Sequence, residues 1–323
     1  MTENVLSLRD LSVHYQTRHG DLQALRHVNL DVPKGAIVGV VGESGCGKST
    51  LISAIIRLLA ENAVIPNGSL DFEGQDLLSL DDEQMRAIRG KAMSIIFQDP
   101  MSALNPVLSI GQQMIDIQYR DKKSRGEKMA RSIDMLGRVG IPDPASRIKQ
   151  YPHEFSGGMQ QRISIAMALQ ANPSLLIADE PTTALDATLE VQIIGLLKEL
   201  QSSMNCSILF ISHHLGVIAE LCDFVVVMYA GEVVEEGTVR DVFHRPIHPY
   251  TQKLLQCDPA VIREKTRQLP TIAGEIPNLI NVPVGCIFRE RCEHAMEKCG
   301  SLTPQWHEAR DAHFVACHLE DAL

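Results

Sequence analysis

Aromatic residues are scarce, at 4% of a 323-residue chain with a single tryptophan. Such a chain has little with which to stack bases, which argues against a single-stranded nucleic-acid platform. Positive charge is also short: Lys and Arg number 30 against 40 Asp and Glu, a formal net charge of −10. Nucleic acid is therefore not an expected partner, because phosphate backbones are bound by basic faces. No apolar run reaches the length of about 18 residues that a membrane helix needs. The opening MTENVLSLRD is polar and mixed in charge, without the basic and apolar blocks of a secretory signal. Heptad runs and internal repeats are missing too, so long coiled coils and solenoids are excluded. The expectation is a cytosolic chain whose eight cysteines are free, catalytic or metal-bound rather than paired in disulfides.

What the chain does contain is a glycine-rich stretch. Gly42-Glu-Ser-Gly-Cys-Gly47-Lys48-Ser49 fits the pattern G-x-x-x-x-G-K-[ST]. It follows a buried-strand pattern over 36–41 and precedes a helical pattern over 49–60, the context this motif requires. Small residues at Gly42, Ser44, Gly45, Cys46 and Gly47 let backbone N–H groups turn inward around phosphate oxygens. The helix N-terminus at Ser49 and Thr50 adds positive potential. Lys48 would reach the β- and γ-phosphates and the Ser49 hydroxyl would ligate Mg²⁺. A nucleoside triphosphate is the implied ligand.

Two further segments carry related chemistry. An apolar strand over 175–178 ends in Asp179-Glu180, one acid for Mg²⁺ and one to polarise an attacking water. Phe155-Ser156-Gly157-Gly158-Met159-Gln160-Gln161-Arg162 opens a helical stretch. Its Ser-Gly-Gly is a second anion cradle or a simple N-cap. Two cradles in one chain point to two chains sharing each nucleotide.

Ser-Gly-Gly-Met-Gln-Gln-Arg resembles the signature of ATP-binding cassette (ABC) ATPases, and the family's other marks follow in its order. The resemblance implies that Tyr15 stacks on adenine, and that Gln98 touches Mg²⁺ and senses a transmembrane partner. It implies that Ala184-Leu185-Asp186 crosses the dimer interface, with Asp186 its acid. It also makes Glu180 and the switch residue His213 catalytic, and has Ser156, Gly157, Gly158 and Gln160 meet ATP held by the other subunit. Mg²⁺ would sit among Ser49, Gln98 and Asp179. The segments Phe97-Gln-Asp-Pro-Met-Ser-Ala-Leu-Asn-Pro106, Met228-Tyr-Ala-Gly-Glu-Val-Val-Glu-Glu-Gly237 and His248-Pro-Tyr-Thr251 resemble the oligopeptide/dipeptide importer branch, which includes nickel importers. One departure is His214, where that branch usually has Asp.

The fold implied is α/β: a P-loop ATPase with a mixed, largely parallel sheet core, an antiparallel β edge and an inserted helical subdomain over about 100–160. Alternating patterns over 5–8 and 28–32 supply the antiparallel strands. Residues 110–119 and 127–139 read as helices broken after Gly140, and the charged stretch over 122–128 reads as a solvated loop. The ATPase domain spans 1–245. A small cysteine-bearing extension follows over 246–323.

In that extension Cys286, Cys292, Cys299 and Cys317 fall with wide spacing. Four thiolates hold zinc or a [4Fe–4S] cluster, or remain unliganded. Zinc sites usually show closer cysteine pairs, Arg289 and Arg291 would offset a cluster's negative charge, and branch members with this cysteine pattern resemble cluster binders. The remaining cysteines read as bland: Cys46 through its backbone alone, and Cys206, Cys222 and Cys257 as small hydrophobes. The resemblance implies ATP-driven peptide import with three kinds of partner: a second, different ABC ATPase subunit, two transmembrane permeases, and an extracytoplasmic solute-binding protein. The chain would then lie peripherally on the cytoplasmic face of the inner membrane. Alternatives are a nickel or other small-solute importer, an exporter subunit and, more distantly, an ABC ATPase acting on DNA.

Overall fold

The computed structural model describes residues 3–183, 185–258 and 270–319. The chain divides into two compact units, one formed by Met1–Ser79 with Phe210–Leu323, the other by Leu80–Leu209.

The first unit holds two groups of strands. Asn4–Thr17 and Gly20–Pro33 form a long antiparallel hairpin, extended on one side by Ser69–Phe72 and Gln75–Asp76. These two strands are far longer than the alternating cores at 5–8 and 28–32. Register shifts between Leu8 and Leu11 and between Leu11 and Val13 interrupt the alternation that marks a strand in sequence. The second group is mixed. Ile37–Val41 is buried at every position, as a strand covered on both faces must be. It runs parallel to Phe224–Tyr229, which pairs antiparallel with Glu232–Thr238.

The segment after 245 folds into this same unit. His313–Val315 pairs with Glu232–Thr238 and with His307–Arg310. Glu235 fixes the junction: its carboxylate accepts the N–H groups of Ile247 and His248 at 2.7 and 3.0 Å and lies 2.8 Å from His313 Nε2. Both side chains of that pair are fully buried, so removing either would strand a buried polar group.

In the second unit, Met93–Ile96 pairs in parallel with Leu175–Asp179. Helices Ile110–Ile117 and Arg125–Arg138 occupy the two predicted helical patterns. The charged stretch over 122–128 is not all loop. Ser124 and Glu127 form a reciprocal capping box and start the second helix inside it, the sequence signature of a helix start. That helix ends before Gly140, whose φ of +75° is glycine's own region. Helix Gly157–Leu169 carries the expected signature at its start. No helix among the described residues is long and apolar enough to cross a membrane.

His248 caps helix Pro249–Gln256 by accepting the Tyr250 N–H on Nδ1 at 3.0 Å. That bond needs a neutral ring, and burial pushes the imidazole down to about 4. Neutral His248 therefore favours the fold above the ordinary histidine value, and the benefit drains away as pH falls towards 4. We expect urea stability to drop by about 2 kcal/mol between pH 7 and 4.5 on this account. His248→Asn, whose amide oxygen still caps, should flatten the profile; an unchanged acid limb would contradict the assignment.

Candidate nucleotide site

The glycine loop begins where strand Ile37–Val41 ends, and its path is dictated by close contacts. Gly42 has φ +154°. A Cβ there would lie 2.2 Å from the Met228 carbonyl oxygen and 2.7 Å from Cys46 Sγ. Gly47, at φ +107°, presses against the Ala24 carbonyl, 2.8 Å from where a Cβ would stand. The loop is thus wedged between two backbone segments, and only hydrogen fits at these positions.

Lys48 starts helix Lys48–Ile55 and is 8% exposed. Its Nζ donates to the carbonyls of Gly42 at 2.6 Å and Glu43 at 3.0 Å, and lies 3.6 Å from Cys46 Sγ. An ammonium so buried needs these acceptors. Cys46 contributes more than its backbone: its sulfur fills the space beneath the loop, and burial raises its thiol pKa. Ser44, Gly45 and Ser49 are exposed. Tyr15, on strand Asn4–Thr17, reaches the same helix, with its hydroxyl 3.3 Å from Thr50 Oγ1. His213, also in this unit, is exposed beside His214, with ring centroids 5.3 Å apart. His214 occupies the N-cap of Leu215–Leu221 but makes no side-chain capping bond, whereas an Asp there is a strong cap.

In the second unit the structure brings Gln98 to Glu180, Nε2 to Oε2 at 3.2 Å, and Thr183 donates to the same oxygen at 3.0 Å. Glu180 has φ +45°, a conformation that costs a non-glycine residue energy and clusters at functional sites. Asp179 closes strand Leu175–Asp179 directly before it.

Ser156 and Gly157 are exposed at the head of their helix, and the Ser156 hydroxyl caps the Met159 N–H at 3.4 Å. Gly158 is buried against Leu189, 2.9 Å from a would-be Cβ. Leu189 lies in helix Ala187–Met204, whose N-cap is Asp186, accepting from the N–H groups of Thr188 and Leu189. Ala184, before it, lies outside the described residues. Gln160 departs from its expected place: its carboxamide points inward to the carbonyls of Pro152 and Phe155, at 2.9 and 3.2 Å. The exposed part of the cradle is therefore Ser156 with Gly157, and Gly158 lies buried behind them.

The chain matches the ABC transporter family over residues 25–183 and the oligopeptide/dipeptide transporter C-terminal region over 234–299. It is 47% identical to the dipeptide transport ATP-binding protein DppD of Bacillus subtilis, covering 99% of this chain and 96% of that one. It is 46% identical to the oligopeptide transport ATP-binding protein OppD of Salmonella typhimurium, covering 93% and 89%. Among solved structures, a dimeric ATP-binding cassette in a post-hydrolysis state bound to ADP and Pi is 28% identical. That match covers 73% of this chain and 99% of the cassette, with a TM-score of 0.65. This chain belongs to the ABC transporter family, in its oligopeptide/dipeptide branch. As an ABC ATPase it has the cassette fold of mixed and antiparallel sheets with helices, and its nucleotide is ATP.

The branch-specific tail brings Cys286, Cys292, Cys299 and Cys317 onto the wall of one cavity. Gly285, at φ +86°, lets this loop approach: a Cβ would stand 2.3 Å from the Cys299 carbonyl oxygen, which accepts the Cys286 N–H at 2.9 Å. Backbone N–H groups point at the sulfurs, Met296 to Cys299 and Leu319 to Cys317, both at 3.5 Å. Burial pushes Cys286 up to about 12 and Cys317 up to about 11, so the bare thiols stay protonated at neutral pH. Among the described residues no group of three or more His, Cys, Asp and Glu side chains is arranged to hold a metal ion. The expected metal centre is therefore not a formed site among the described residues, although the four cysteines line one cavity.

Sequence reasoning missed the contacts of Glu43, in the phosphate loop, with Tyr250 and Arg291 of the tail. The His-Pro-Tyr-Thr motif marked the importer branch without signalling these contacts. We expect Gly42→Ala to lower stability by about 3 kcal/mol, through overpacking and backbone strain, and to abolish ATP retention in equilibrium dialysis. Wild-type melting together with wild-type affinity would contradict the tight path described.

Proposed function

We propose that this chain is the ATP-hydrolysing subunit that powers import of dipeptides or oligopeptides through an ABC transporter. The observation that carries the reading is one chain that holds a formed phosphate loop and, beyond it, the oligopeptide/dipeptide tail. Full-length similarity to DppD and OppD supports the cargo class over nickel, export or DNA.

In the proposed mechanism the loop amides and Lys48 hold the triphosphate of one site. Ser156, Gly157 and Gly158 of a second ATPase subunit complete it across the interface. Neither half binds firmly alone, so ATP draws the two chains together, and a near-complete swing needs about 5.5 kcal/mol of preference for the closed state. Glu180 polarises the attacking water, and His213 contacts the γ-phosphate. The exposed Ser49 hydroxyl beside Lys48 suits Mg²⁺; the ion would be held by Ser49, Gln98 and Asp179 and would supply positive charge to offset that developing on the phosphates. Loss of the γ-phosphate removes the link and the subunits part. Gln98, at the head of the helical region, passes this to the permease. The partners are a non-identical ATPase, two permease subunits and a solute-binding protein, with this chain peripheral on the cytoplasmic side of the membrane.

We further propose that the tail holds a [4Fe–4S] cluster on Cys286, Cys292, Cys299 and Cys317. What supports the reading is that the four cysteines line one cavity, Cys299 buried and the other three half-buried, with backbone N–H groups aimed at Cys299 and Cys317. When bound, it would supply a covalent cross-link among these loops and a one-electron centre.

Glu180→Gln should keep ATP binding and ATP-driven pairing while turnover falls about 10³-fold; near-normal phosphate release would remove Glu180 from its role. Protein purified without oxygen should be brown, with about four iron and four sulfide per chain. A colourless protein with one zinc would overturn the cluster.

A further inference from the structure

Glu43, the second residue of the phosphate loop, is held at three points. Its carboxylate accepts from Arg291, Nη1 to Oε2 at 2.8 Å and Nη2 to Oε1 at 3.0 Å. Its backbone N–H donates to the Tyr250 hydroxyl at 2.9 Å. Its carbonyl accepts from Lys48 Nζ at 3.0 Å. Two of the three anchors come from the tail, and the Arg291 contact spans 248 positions of sequence.

Both tail residues are themselves immobilised. The Arg291 side chain is 3% exposed. Besides Glu43 it donates to the carbonyls of Ala273 and Ile272 at 2.9 and 3.0 Å and to Tyr229 Oη at 3.3 Å. Tyr250 is fully buried and packs on Tyr229 and Phe288, with ring centroids 4.7 and 5.4 Å away. A bidentate arginine–carboxylate pair fixes direction as well as distance. It is aimed at the residue whose carbonyl carries the phosphate-binding ammonium, in a loop whose glycines leave it conformationally permissive. A strut serving the tail alone had no need to end there.

We infer that Arg291 and Tyr250 are positioning residues of the ATP site, clamping Glu43 so that its carbonyl sets Lys48 where the triphosphate arrives. The inference rests on the reading of 42–49 as the ATP loop. It makes the tail a working part of the nucleotide site. Arg291 closes the short turn Arg289–Arg291 between Cys286 and Cys292, so the loop that bears the thiols also bears the clamp.

The test uses the full-length chain, titrated calorimetrically with a slowly hydrolysed ATP analogue and Mg²⁺, with melting temperature recorded without nucleotide. Arg291→Gln and Glu43→Gln should each raise Kd about tenfold, and the double variant should be no weaker than either single, as expected for two halves of one interaction. Arg291→Lys should recover part of the loss, and Tyr250→Phe should cost about threefold for its one hydrogen bond. Binding within about twofold of wild type in both Arg291→Gln and Tyr250→Phe would reduce the contact to a fold strut and overturn the inference, whatever the melting temperature does; additive losses in the double variant would overturn it as well. Should Arg291→Gln fail to fold, Tyr250→Phe carries the decision. Equal binding by wild type and Lys48→Ala would refute the ATP loop itself, and the clamp with it, a result distinct from a silent Arg291 variant.

Discussion

The structure depends on the burial of one ammonium group. Lys48 Nζ sits inside its own loop on the carbonyls of Gly42 and Glu43, and an unpaired charge at that depth would cost several kcal/mol. Satisfying it demands a loop that doubles back within a few residues of the strand. The double-back in turn demands glycine where the chain meets the Met228 and Ala24 carbonyls. Strand Phe224–Tyr229 supplies the first of these and strand Gly20–Pro33 the second. The sheet arrangement of the first unit is thus the mould of the phosphate loop. The same geometry that satisfies the lysine leaves Ser44, Gly45 and Ser49 exposed.

The second unit is organised around a helix start and a strand end. Ser156 caps its helix while Gly157 stays open, and Leu189 presses on Gly158 from below. Asp186, read for an interface role, is also the cap that seats the Leu189 helix. One residue can therefore carry both a local structural duty and the exposed edge of the loop. Glu180 shows the other common pattern. Its left-handed backbone is held by contacts from Gln98 and Thr183 to the carboxylate, with the strain sitting at the residue assigned to chemistry.

Much of this was legible because its cause is local. A phosphate loop needs small residues at set spacings, and a buried strand such as Ile37–Val41 needs an unbroken apolar run, so both leave marks within ten residues. The start of helix Arg125–Arg138 was legible in principle through Ser124 and Glu127, yet its charge disguised it as loop. The contacts that escaped are non-local. Nothing at Glu43 announces Arg291, and nothing at Glu235 announces His313, 78 positions on. The signature resemblance alone makes Gln160 ligand-facing, but helical geometry turns it inward to Pro152 and Phe155. The return of the tail into the first unit rests on two short strands whose pattern is too brief to read.

The central claim is that one triphosphate is gripped by the loop of one chain and the signature cradle of another. Light-induced backbone cleavage by vanadate, trapped with ADP and Mg²⁺ in the assembled transporter, reports directly which peptide bonds surround the γ-phosphate position. The account predicts that this chain is cut at two places, within 42–49 and within 156–158. Cutting confined to the glycine loop, with the signature intact in every subunit, would contradict it.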